Sequence, residues 1–167
     1  TKLFNILPEM SQINDSETPN FTILSSEIYA HGGHSAIIEY ISTRCTYLAP
    51  NLVISRFGEF GPLKRILSHG TPVKLCKERG YRRIVEIINS CSKSNTIVAV
   101  IHPEDIQSAL ALRALKENGH RIIFINHADH RFCFGIGVAD VVCEISEFGR
   151  QISIESGRCR GVQYYLG

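Results

Sequence analysis

The chain has 167 residues, a formal net charge of +2 at pH 7 and 44% hydrophobic side chains, enough for one substantial core and one domain by length. That balance lacks the clustered basic face of a nucleic-acid binder, and no apolar run approaches the ~18 residues that a membrane span needs. The six cysteines (45, 76, 91, 133, 143 and 159) show no C-x-x-C spacing, and the N-terminus has no signal-peptide h-region, which points to reduced core thiols in a cytoplasmic protein.

Residues 1–20 carry Pro8, Pro19 and the polar run Ser11–Thr18, and read as a lead-in segment. From residue 21 onward strands and helices alternate. Residues 21–28 read as a strand and 34–44 as a helix, with Ala36, Ile37, Tyr40 and Ile41 at helical spacing. Asn51–Ser55 is a short strand. Residues 72–91 read as one helix or two short ones, with Pro72 suited to a first turn. Thr96–Ile101 is a continuous β-branched run, as expected of a strand covered on both faces. A helix over 103–118 comes next, with Pro103 early, Glu104 and Asp105 in its first turn and Gly119 just past its end. Strand 121–126, a short apolar segment 132–139, strand 141–145 and a helix near 147–156 complete the series. This order predicts an α/β, Rossmann-like three-layer domain with a mainly parallel sheet, spanning 21–167.

Two histidine clusters stand directly after apolar runs. His31-Gly32-Gly33-His34 succeeds the first strand, and Asn126-His127-Ala128-Asp129-His130 closes strand 121–126. The carboxyl edge of such strands is where open α/β sheets bind ligands, so the clusters read as two lips of one cleft. Gly32 and Gly33 let backbone approach a ligand, the adjoining helix start favours an anion, and Ser35 is a candidate cap. A plain tight turn explains the same glycines. Arg56, where an acidic ribose ligand would be needed, disfavours NAD. His127 is a candidate acid or base, with Asp129 able to orient a histidine. The alternative is a polar loop in which Asp129 caps the apolar segment 132–139. A four-histidine metal site is a further reading, although neither pair has the i,i+4 spacing of helical zinc ligands. His69, His102 and His120 lie beside loop signals and read as surface or turn residues. Lys77, Arg79, Arg82 and Arg83 read as a solvated helix face or, alternatively, a phosphate-lined groove. Glu147 and Glu155 match an E-x7-E spacing that a solvated helix face also explains.

Tyr29–Ser35 resembles the G-G-H-[TS] turn after the first strand of bacterial glycosyltransferases with the GT-B fold. Ile123–Asp140 resembles their strand, H-x-D-H loop and G-x-x-x-A-D segment, and Val141–Arg150 continues the likeness. The resemblance covers most of residues 21–165. It implies the acceptor-side N-terminal domain of a two-domain enzyme, whose C-terminal domain binds a UDP- or GDP-linked sugar. By this resemblance Gly32 and Gly33 approach the donor phosphates or the transferred sugar, and His34 lines the acceptor side. His127 lies near the reacting anomeric centre, with Asp129 and His130 shaping the acceptor pocket; Asn126 joins the substrate-binding set. It also implies no tightly bound cofactor, no metal between the clusters, and no catalysis by this chain without the donor half. The acceptor is a small molecule or glycan, and peripheral membrane contact is compatible with it. Two other readings stand beside it: a metal-binding hydrolytic α/β domain, and a non-catalytic module for a small phosphorylated ligand.

Overall fold

The computed structural model describes residues 21–128, 130–158 and 161–166; the lead-in segment 1–20 lies outside the described residues. Strands β1 (Phe21–Ile28), β2 (Asn51–Gly58), β3 (Val73–Leu75), β4 (Thr96–Val100), β5 (Arg121–Asn126), β6 (Val141–Glu144) and β7 (Val162–Tyr165) form one sheet in the order β3-β2-β1-β4-β5-β6-β7. Every neighbouring pair is parallel. The described helices are α1 (Gly33–Arg44), α2 (Phe60–Ser68), α3 (Tyr81–Cys91), α4 (Ile106–Glu117) and α5 (Glu147–Glu155). This is the three-layer, Rossmann-like arrangement that the alternation of elements predicts. No helix among the described residues is long and apolar enough to cross a membrane.

The strands are apolar on both sides because both sides are covered. In β5, Ile123 and Ile125 pack into one core cluster with Ile38 and Ile41 of α1 and Ile66 of α2. Ile122 and Phe124 of the same strand enter the opposite cluster, with Ile87 and Cys91 of α3 and Ala111, Leu112 and Leu115 of α4. The two-residue period of a strand thus feeds two cores at once. Cys45, Cys76, Cys91, Cys133 and Cys143 are buried and form no disulfide. Burial pushes the thiols of Cys45 and Cys76 up to about 11 and that of Cys91 to about 12.

Three parts of the chain differ from the expectation set by the sequence. Residues 60–68 form helix α2, hidden in the sequence by Gly61-Pro62, which sit in its first turn, where a missing N–H costs nothing. Residues 72–75 are not helix: Val73 pairs with Leu52, and the Leu52 N–H donates to the Pro72 carbonyl. Edge pairing to β2 overrides the proline signal, and α3 begins only after Gly80 at φ 57°. Residues 162–165, to which the sequence pattern assigns no strand, extend the sheet beside β6. At that junction a Cβ on Gly161 would lie 2.3 Å from the Asp140 carbonyl oxygen, so only glycine fits.

Strand order reverses between β1 and β4. Successive crossovers run outward from β1 in one direction and from β4 in the other, which leaves a crevice above their carboxyl ends.

Candidate functional site

A cavity of about 380 Å³ opens at that crevice, lined by Gly33, His34, Ile37, His102, Pro103, His127, Ala128, His130, Arg131 and Ile145. Its polar members come from different strand ends: His34 lies beyond β1, His102 beyond β4, and His127, His130 and Arg131 beyond β5. His34 of the first cluster and His127 and His130 of the second line this one cavity. Of the first pair, His34 turns inward, while His31 is exposed and does not line the cavity. His34 and His127 lie against each other, ring centroids 5.2 Å apart at 32°. Asp129 lies outside the described residues.

The turn after β1 explains the placement of His34. Gly32 adopts φ 130° and ψ 142°, a backbone state that L side chains rarely enter. Gly33 needs no such freedom, but a Cβ there would meet nothing within 4 Å. The space above Gly33 is therefore open, and it borders the cavity. Ser35 does not cap α1; its hydroxyl accepts the Tyr29 N–H at 2.9 Å and lies 3.3 Å from His34 Nε2. The Ala30 N–H donates to Glu59 at 2.8 Å, which pins the loop from the side of β2.

The loop signals beside His102 predict a surface or turn residue; its carbonyl does accept the Asp105 N–H at 2.9 Å across the turn at 103–104, and the residue also forms part of the cavity wall. Its position rests on a buried polar cluster at the switch point. The His102 N–H donates to Ser26 Oγ at 2.8 Å, and Ser26 Oγ donates in turn to Asp105 Oδ2 at 2.6 Å. Ser55 and Ser108 hydroxyls reach the same carboxylate at 2.8 Å each, and the Ser108 N–H donates to Oδ1 at 3.1 Å. Asp105 is thus the N-cap of α4, which begins at Ile106 rather than at Pro103. Burial pushes the Asp105 carboxyl up, but the bonds from Ser26, Ser108 and Ser55 outweigh it and hold it below the usual carboxylate range. The Glu104 N–H donates to His102 Nδ1 at 3.2 Å. That bond requires an unprotonated Nδ1, so the neutral ring carries its proton on Nε2.

Asn126, a candidate substrate contact by its sequence position, has other partners in the structure. It is fully buried, its amide donates to Glu144 Oε2 at 2.8 Å, and its carbonyl oxygen accepts from Cys133 Sγ at 3.3 Å. Glu144 also accepts from Ser153 at 2.5 Å. The Asn126 side chain faces the core between β5, β6 and α5, one residue before the chain turns to present His127. Its part in the site is to fix that turn.

Burial drives the His127 imidazole down to about 4, with His34 and His102 adding to the effect and the backbone contact with Ile125 opposing it. His127 Nδ1 is buried without a hydrogen-bond partner among the described residues. His34 is lowered as well, by burial first, against the opposing field of Glu27. The paired rings are neutral at pH 7. Each offers one N–H donor and one lone-pair acceptor, a complement suited to hydroxyl groups.

Among the described residues, no group of three or more His, Cys, Asp or Glu side chains is arranged to hold a metal ion. Glu147, exposed and 2.5 Å from Arg150, sits on a solvated helix face, as does Glu155. No protein family model, curated protein or solved structure matches the chain, so its functional reading rests on the geometry of this cavity.

Proposed function

We propose that the chain is the acceptor-side half of a cytoplasmic, nucleotide-sugar-dependent glycosyltransferase, moving a hexosyl group from a UDP- or GDP-linked donor to a saccharide, lipid or protein acceptor. The observation that carries this reading is the convergence of His34, His102 and His127 on one open cavity at the sheet's switch point. The neutral imidazoles of His34 and His127 suit hydroxyl groups, and Arg131 adds one guanidinium to the same lining. Ile37, Pro103 and Ile145 supply apolar surface for the C–H faces of a sugar ring.

In the transfer, the acceptor oxygen bonds to the anomeric carbon while that carbon's bond to the donor diphosphate breaks. The bonding pair leaves with the diphosphate, and the acceptor hydroxyl gives up its proton. His127, uncharged above about pH 4, is available to receive it. So low a proton affinity makes it a weak base; its larger contribution is to hold the hydroxyl in line. The open space above Gly33 admits the transferred sugar. A second Rossmann-like domain would bring the donor, and no tightly bound cofactor enters the scheme.

The test is nucleoside diphosphate release by the full-length gene product, offered UDP- and GDP-sugars with a panel of acceptors. His127→Ala should lower transfer roughly a hundredfold with an unchanged melting curve. Wild-type transfer by that variant would remove His127 from the reaction. Absence of transfer with every donor, together with stoichiometric zinc in the purified protein, would overturn the reading.

A further inference from the structure

His102 and its neighbours separate the histidine cavity from a second one of about 340 Å³, lined by Arg56, Arg83, His102, Glu104, Asp105, Ile106 and Gln107. Both cavities are lined by His102, so a ligand lying across the switch point meets both. Their chemistry differs. One is lined mainly by histidines, with the single guanidinium of Arg131; the other offers two guanidinium groups, those of Arg56 and Arg83.

Arg56 stands near the end of β2 and Arg83 in the first turn of α3. Arg83 is held by neutral partners: its Nε donates to the Glu78 carbonyl at 2.9 Å and its Nη1 to Gln107 Oε1 at 3.0 Å. Gln107 is itself anchored on the Gly80 carbonyl at 2.9 Å. The guanidinium is therefore preorganised with its charge unspent and most of its five donors still to place. Arg56 meets Glu27 at 3.3 Å, but that carboxylate also accepts from the Tyr29 hydroxyl at 2.8 Å. The acidic side chains of this cavity compete weakly. Asp105 is enclosed by its four hydrogen bonds, and Glu104 is exposed to solvent.

We infer that the acceptor is an acidic saccharide, its carboxylate or phosphate held by Arg56 and Arg83 while its hydroxyl groups meet His34, His102 and His127. The inference rests on the glycosyl-acceptor reading and narrows it. The arginine fork matches both oxyanions, and charge-assisted bonds of this kind are the strong ones.

The test is a chemical-shift titration of the 167-residue chain with glucose, glucuronate, glucose 6-phosphate and inorganic phosphate. Either acidic sugar should bind about tenfold tighter than glucose, and the preference should shrink as salt is raised. Arg56→Gln and Arg83→Gln should each erase the preference, Arg56→Lys should retain part of it, and Arg113→Gln, on the far part of α4, should leave it intact. Equal affinity for glucose and glucuronate would overturn the inference and leave the acceptor reading standing. An acidic preference indifferent to both arginines would overturn the assigned site. Phosphate binding that depends on the arginines, with no response to any sugar, would remove the acceptor reading and this inference with it. Shifts from none of the four probes would do the same.

Discussion

The rings of His34 and His127 lie 5.2 Å apart, although 93 positions separate the two residues in the chain (127 − 34). Two imidazoles this close cannot both charge without cost, and burial opposes the first charge already. Both groups have proton affinities below their ordinary value.

Acid should therefore loosen the fold through this pair. The unfolded chain holds protons on these histidines below about pH 6.5, while folded His127 stays neutral to about 4. Stability contributed by the neutral site is present above the unfolded value and is lost as the pH falls from 6.5 toward 4. The full loss from His127 is about 3 kcal/mol, or several degrees of melting temperature. Thermal melts at about pH 7 and about pH 4.5 span most of that window, and His127→Asn should flatten the difference between them. An undiminished acid effect in that variant would assign it elsewhere.

Asp105 is the strongest candidate for a structural anchor of the site. Asp105→Ala leaves the Ser26, Ser55 and Ser108 hydroxyls and the Ser108 N–H without their acceptor. A loss of about 3–5 kcal/mol in urea unfolding is expected, with Asp105→Asn costing less than half of that. The His102 resonance should move in both variants, because Ser26 carries the His102 N–H.

The neighbouring glycines predict opposite outcomes. Gly32→Ala forces an alanine to φ 130° and should cost about 1–3 kcal/mol in a thermal or urea melt. Gly33→Ala meets no neighbour and should leave the melt unchanged. Its methyl group would stand at the cavity, so saccharide binding should weaken while the fold persists. Equal destabilisation by the two substitutions would contradict this account.

Gly161→Ala tests whether β7 belongs to the sheet. Its Cβ would collide with the carbonyl oxygens of Asp140 and Ala139, at 2.3 and 2.6 Å. Backbone must move, and the hydrogen bonds from β7 to β6 are the nearest to yield. Hydrogen exchange at Val162–Tyr165 should speed up at least about tenfold, while β4 and β5 keep their protection.

The central strands are plain in the sequence because β4 and β5 are buried on both faces and so carry unbroken apolar runs. The edges are not. Val73–Leu75 and Val162–Tyr165 are short and half-exposed, and their state depends on a partner strand rather than on their own pattern. His102 has a readable signal: it ends the run Thr96–Ile101 much as His127 ends Arg121–Asn126. Pro103 beside it marks a turn that does form, and the turn signal hides the place of His102 in the cavity wall. Asn126 shows the reverse case. Its place at a strand end suggests contact with a ligand, but strand alternation turns its side chain toward Glu144 and the core.

By itself the sequence determined the α/β alternation, the absence of any membrane-spanning run, and the two histidine-bearing turns. These arise from local periodicity and from glycine's conformational range. Tertiary structure decided which histidines meet, that His102 joins them and His31 does not, and that Arg83 faces a cavity instead of open solvent. Those outcomes depend on strand order, which reverses between β1 and β4 and brings distant turns to one crevice. Pairing between strands far apart in the chain leaves no periodic trace at the residues that it juxtaposes.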